Sequence, residues 1–125
     1  MNKQDILNRL EQFPYNKGDY VITYKAALVL LDIFTQCHDI DIECNTKMGN
    51  ELKKLITPTV APLGGDMYHY NDDIDCFTRE LDYPTLKVYG YKVINPKEQY
   101  IRYLKRNRPK DKETILVLEK YLSIG

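Results

Sequence analysis

Two aspartates separated by a single residue, Asp39 and Asp41, are the side chains in this sequence best suited to chemistry. The strict alternation over 39–44 predicts a strand, in which residues i and i+2 face the same side about 6.5–7 Å apart. Two carboxylates at that spacing can converge on a hard cation such as Mg²⁺, whose remaining ligands are usually water and substrate phosphates. Asp75 lies in a second acid-bearing strand predicted over 73–78. If the two strands are neighbours, three carboxylates meet and can hold Mg²⁺.

The spacing also has simpler interpretations. Two acids separated by one residue can equally lie on the exposed face of an edge strand and have no role in binding. Asp73 competes with Asp75 for the role of the third carboxylate. Asp75 is preferred because Ile74 and Cys76 then face the core.

Helices and short strands must position these acids. At 125 residues the chain has room for one hydrophobic core, so we predict a single domain over 1–125. Its expected class is α+β, with helices packed on a small mixed sheet. The patterns predict strands over 20–23, 39–44, 73–78 and 86–94 (broken at Gly90), a loop or edge strand over 57–65, and helices after Asn2, over 25–34 and 46–56, after Asn95 and after Pro109.

Two stretches resemble the nucleotidyltransferase (polymerase-β-like) superfamily. They are 21–28 (VITYKAAL) and 38–42 (HDIDI). In that superfamily a strand runs into a Gly-Gly or Gly-Ser turn, a helix beginning Ala-x-Ala-Leu follows, and a D-I-D strand comes next. The segment 108–115 (RPKDKETI) is similar to the RxKDxxD helix of small members, so the resemblance spans roughly residues 20–122.

The resemblance implies a nucleotidyltransferase-like fold and a reaction. Active members use two Mg²⁺ ions to move a nucleoside monophosphate from an NTP to a hydroxyl or phosphate acceptor. By motif match, Asp39 and Asp41 are expected as metal ligands, with Asp75 as the third carboxylate and general base. The nucleotide-binding residues predicted on this basis are Thr23, Lys25, His38 and Lys110.

Tyr24 and Lys25 stand where the superfamily has two small residues. Glycine at that turn lets backbone N–H groups approach the triphosphate, and a tyrosine ring should block the approach. Lys25 can compensate by offering a positive charge to the phosphates. Loss of activity and compensation both stay open. The second hypothesis is therefore a catalytically inactive interaction protein on the same fold, an antitoxin-like or phage anti-CRISPR-type inhibitor that binds a nucleic-acid-handling enzyme.

Charge is balanced overall but segregated along the chain. There are 18 basic and 18 acidic residues, yet 66–82 holds six acids against one arginine, and 97–112 holds seven basic residues against two acids. A cation site beside a phosphate-binding flank would have this layout, as would two solvated surfaces of opposite sign. The basic stripe over 102–112 can bind phosphates or RNA. The 11 tyrosines add contact area suited to a protein partner.

Three cysteines and no visible export signal indicate free thiols and a cytoplasmic protein. No apolar run approaches the roughly 20 residues that a membrane span needs, so no membrane partner is expected. A zinc site is a weaker alternative to magnesium because its candidate ligands lack a C-x-x-C spacing. Those candidates are Cys37, His38, Cys44, His69 and Cys76.

Overall fold

A seven-stranded mixed sheet organises the chain. The structure is a computed structural model that describes residues 1–124, apart from the side chain at 124. The strands lie in the order β3-β4-β5-β2-β1-β7-β6. Their bounds are Tyr20–Thr23 (β1), Ile40–Cys44 (β2), Thr59–Val60 (β3), Asp66–His69 (β4), Ile74–Thr78 (β5), Thr85–Val88 (β6) and Tyr91–Ile94 (β7). The β2–β5 and β1–β7 pairs are parallel and the other neighbours antiparallel, so the predicted α+β class and mixed sheet are confirmed.

Within the described residues five helices pack around the sheet, and asparagine side chains cap three of them. Asn2, Asn45 and Asn95 each accept a hydrogen bond from a backbone N–H in the first turn of the helix that follows. Such bonds satisfy amides that have no partner within the helix. The helices are α1 Lys3–Glu11, α2 Tyr24–Leu30, α3 Thr46–Lys53, α4 Pro96–Arg106 and α5 Lys112–Ile124.

The main core lies on one face of the sheet. Ile40, Ile42 and Cys44 alternate along β2 and are fully buried against α1, α2 and α3. A second, smaller cluster joins Leu28 on α2 to Tyr103 on α4 and Leu118 on α5. Because the apolar residues of β2 point into the main core, its acids are left on the opposite face, toward the α4–α5 pair.

Several boundaries differ from the sequence expectation. Helix α2 ends at Leu30 and not at residue 34, because Asp32 takes a left-handed backbone conformation (φ 62°) and Ile33 N–H returns to the Leu28 carbonyl. Strand β2 begins at Ile40, which leaves Asp39 just outside the ladder. Strand β4 was not expected, because its sequence DMYH does not alternate cleanly. Within residues 1–124, no helix has the length and apolar character to cross a membrane.

Candidate metal and nucleotide site

A row of four polar residues crosses four adjacent strands. Thr23 on β1 is opposite Asp41 on β2, Asp41 is opposite Asp75 on β5, and Asp75 is opposite His69 on β4. Residues directly opposite each other in a ladder share a face, and neighbouring strands lie about 4.8 Å apart. Asp41 and Asp75 are therefore neighbours on one face of the sheet, as expected if the two acid-bearing strands pair. Asp39 is exposed one residue before β2.

Asp41 has no basic partner within hydrogen-bonding distance among the described residues. Burial, together with the negative charges of Asp75 and Asp39, raises the pKa of its carboxyl to about 6. Arg106 acts in the opposite direction without cancelling the rise. Asp41 is therefore a carboxylate that a bound cation would stabilise.

Asp75 is paired with the exposed His69. The Nδ1 atom of His69 lies 2.7 Å from Asp75 Oδ1, and this hydrogen bond raises the pKa of the histidine. Asp73, the competing candidate, lies elsewhere and accepts a 2.7 Å hydrogen bond from Arg9 Nε on α1. Ile74 and Cys76 are buried, which is the arrangement that favoured Asp75.

The donor set suits magnesium better than zinc. Among residues 1–124, no three or more His, Cys, Asp and Glu side chains converge closely enough to hold a metal ion by themselves. Mg²⁺ is commonly held by one or two carboxylates, with water and phosphate completing the shell, so the Asp41–Asp75 pair fits it. A structural zinc ion is almost always held by four protein ligands in a closed tetrahedral site. Burial raises the thiol pKa of Cys37 and Cys44 to about 11, and that of Cys76 further, which disfavours the thiolates zinc requires.

Asp41 lines a cavity of about 770 Å³ between the sheet and the C-terminal helices. Asp39 and Asp41 give one wall of this cavity a negative charge. The same lining carries positive charge from Lys25, Arg106, Arg108 and Lys110. A cavity of this size and polarity is adequate for a nucleotide-sized ligand.

The turn between β1 and α2 is closed by protein groups. Tyr24 occupies it with φ 55°, the left-handed conformation that glycine adopts without strain. Its backbone N–H donates to Gln99 Oε1 at 2.5 Å, and Gln99 is fully buried on α4. The Tyr24 ring packs edge-on against Tyr103 with 5.6 Å between centroids, and the Arg106 guanidinium lies 4.7 Å from it. The backbone thus keeps a glycine-like shape while its amide is used internally.

The four predicted nucleotide-binding residues lie in different surroundings. Thr23 is fully buried, and its hydroxyl donates to the Asp41 carbonyl at 3.1 Å. Lys25 lines the cavity, where Nζ lies 3.3 Å from Thr114 Oγ1 and 4.2 Å from the centroid of the Phe34 ring. His38 and Lys110 are exposed side chains on the cavity lining.

Two buried carboxylates beside this site were not predicted. Glu43, two residues beyond Asp41 and on the same face of β2, pairs with Arg102 at 2.5 Å and accepts a 2.7 Å hydrogen bond from Tyr83. The alternation that placed Asp39 and Asp41 on one face also includes Glu43, but its arginine partner is 59 residues away along the chain. Asp111 accepts hydrogen bonds from both Arg106 and Arg108.

The basic stripe over 102–112 divides into two kinds of residue. Its three arginines are paired with the buried carboxylates of Glu43 and Asp111. Its three lysines are exposed: Lys105, Lys110 and Lys112. An RNA or DNA partner would meet mainly these lysines, because the arginine charges are partly neutralised within the fold.

Comparison with known proteins supports the fold. The sequence matches no protein-family model and no curated protein. Its structure is similar to the crystal structure of a protein from Thermotoga maritima described as a candidate nucleotidyltransferase. The TM-score is 0.59 at 18% sequence identity, over 100% of this chain and 97% of that one. The chain therefore has a nucleotidyltransferase-like fold.

Proposed function

We propose that this protein binds a Mg²⁺–nucleoside triphosphate complex and transfers the nucleoside monophosphate to a hydroxyl or phosphate acceptor. The observation that carries the proposal is the placement of Asp41 opposite Asp75 on adjacent parallel strands, with Asp41 lining a cavity of about 770 Å³. The elevated pKa of Asp41 supports this proposal, because it means that the ionised carboxylate is unfavourable in the protein alone. A ligand that brings a cation would stabilise the ionised form.

Residues of the cavity lining, and Asp75 and His69 beside it, have separate roles in this proposal. Asp41 and Asp75 would hold Mg²⁺, with Asp39 nearby on the cavity lining, and the ion would neutralise phosphate charge and lower the pKa of the attacking hydroxyl. Lys110 and the other basic residues of the lining would orient the phosphates. Asp75 is the group proposed to accept the proton of the acceptor, while His69 keeps its carboxylate oriented through the 2.7 Å contact.

The test is Mg²⁺–ATP binding by calorimetry, together with transfer of a labelled nucleoside monophosphate to protein, nucleic acid or small-molecule acceptors. The wild type should bind and Asp41→Asn should lose most of the binding. Asp82→Asn is the matched control, since Asp82 is an exposed aspartate away from the cavity. Equal heats for the wild type and Asp41→Asn, or none in either, would refute the proposal.

The closed turn favours a second candidate, a non-catalytic interaction protein on the same fold. Tyr24 fills the turn, and Gln99 takes its amide, so the backbone approach to a triphosphate is blocked. Such a protein would be an antitoxin-like or anti-CRISPR-type inhibitor of a nucleic-acid-handling enzyme. It predicts no Mg²⁺–ATP binding by the wild type and a stoichiometric complex with one such enzyme in size-exclusion chromatography. Turnover by the wild type would rule it out.

A further inference from the structure

Asp111 holds two arginines side by side on the cavity wall. Its buried carboxylate, 5% exposed, accepts from Arg106 and from Arg108, each through Nε at 3.0 Å and Nη2 at 3.2 Å. Two guanidinium groups therefore share one negative charge. The pair keeps a net positive charge, and the bidentate geometry fixes the orientation of both side chains.

Each guanidinium has donors to spare. Asp111 uses only the Nε–Nη2 edge of Arg106 and Arg108, and no hydrogen bond within residues 1–124 involves Nη1 of either side chain. Both arginines line the cavity together with the exposed Lys110. Their side chains are 22% and 39% exposed, so a ligand in the cavity can reach them. Oriented, partly desolvated donors of this kind suit phosphate oxygens.

One backbone amide at the β1–α2 turn is already bonded within the fold. The Tyr24 amide donates to Gln99, and the Tyr24 ring is covered on one side by Arg106 itself. Lys25 is held near Thr114 and the Phe34 ring. The cavity therefore offers a polyphosphate side-chain donors at the end of α4 and in the segment before α5, whereas the Tyr24 amide is already bonded.

We propose that Arg106, Arg108 and Lys110 form an anion subsite that binds the phosphate chain of a polyphosphate ligand in place of the amides at the β1–α2 turn. That the ligand is a nucleoside triphosphate rests on the proposed function. The subsite itself needs neither the metal nor Asp41, because Arg106, Arg108 and Lys110 supply its positive charge and Asp111 fixes the orientation of the two arginines.

The experiment is a titration of ¹⁵N-labelled protein with inorganic tripolyphosphate in EDTA, followed by NMR of backbone amides and arginine Nε–H groups. Shifts should be largest over residues 106–111. Arg108→Gln and Lys110→Ala should each weaken binding by about tenfold. Lys120→Ala is the control, since Lys120 is exposed on α5 away from the cavity, and it should stay within about twofold of the wild type.

Lys110→Ala keeps the test decisive if Arg108→Gln fails to fold, because Lys110 is exposed and pairs with no carboxylate among the described residues. The proposal is overturned by equal losses in Lys110→Ala and Lys120→Ala, which would indicate diffuse charge attraction. Shifts centred on the amides of 24–27 would also overturn it. Asp41→Asn should retain tripolyphosphate binding in EDTA, so loss of Mg²⁺–ATP binding in that variant tests the proposed function separately.

Discussion

Asp41 and Asp111 line the same cavity but have opposite electrostatic surroundings. Asp111 accepts hydrogen bonds from Arg106 and Arg108. Burial alone would raise the pKa of Asp111, but these hydrogen bonds outweigh it and hold the pKa below its usual range. Asp41 faces Asp75 and Asp39, and its pKa rises to about 6. The charge of Asp111 is compensated within the fold, whereas the partly buried Asp41 has no bonded cation and is available to a ligand.

The largest effect is expected at Asp111. Asp111→Asn leaves two guanidinium groups without their anion and should lower the free energy of unfolding by about 3 kcal/mol. Because the pKa of Asp111 is depressed in the folded state, its contribution is present above its ordinary pKa and is lost as the pH falls through the folded value. Urea unfolding at pH 7 measures the loss, with Asp82→Asn as the exposed control. If Asp111→Asn were as stable as Asp82→Asn, the ion pairs of Asp111 would not stabilise the protein, and the contrast with Asp41 would be wrong.

Asp41→Asn should act in the opposite direction and stabilise the protein. Its folded pKa of about 6 lies above the ordinary 3.8, so ionisation opposes folding as the pH rises through that interval. In EDTA the variant should be roughly 1–3 kcal/mol more stable than the wild type at pH 8 and close to it at pH 4. Urea unfolding at the two pH values measures the difference. A destabilised variant at pH 8 would show that the Asp41 charge is compensated in the fold.

Magnesium should reduce the difference in stability between the wild type and Asp41→Asn. A ligand present at ten times its Kd stabilises the folded state by about 1.4 kcal/mol. Mg²⁺ should therefore raise the thermal midpoint of the wild type, and Asp41→Asn should not respond. Differential scanning calorimetry with and without Mg²⁺ measures this, and Ca²⁺ serves as a larger hard cation for comparison. An equal rise in the wild type and the variant would place the ion elsewhere.

The smallest effect is expected at His69. The His69 side chain is 64% exposed, so its ion pair with Asp75 is screened by water, unlike the pairs of Asp111. His69→Gln should leave the unfolding midpoint within experimental error at pH 7, while Mg²⁺ binding weakens because Asp75 loses the contact that orients it. Chemical denaturation and Mg²⁺ titration of this variant check the two statements. A clear loss of stability would mean that this exposed pair contributes more than its position suggests.

Local sequence patterns determined much of this site. The alternation in 39–44 correctly placed Ile40, Ile42 and Cys44 in the core and the acids on the other face. The burial of Ile74 and Cys76 likewise agrees with choosing Asp75 over Asp73 as the neighbour of Asp41. Asn95 and Pro96 marked the start of α4 as predicted. These features follow from periodicity and capping, which depend on a few adjacent residues.

Only the tertiary structure decided which charges are satisfied. The Glu43–Arg102 pair spans 59 residues and the Tyr24–Gln99 hydrogen bond spans 75 residues along the chain. No local sequence pattern predicts either contact. From the sequence, the charges of the basic stripe were expected to face phosphates, RNA or solvent. In the structure its three arginines are paired with buried carboxylates. By itself the sequence determined the strand faces and the candidate acids, since side-chain direction follows from spacing along the chain. Which acid keeps a counter-ion depended on distant segments brought together by folding.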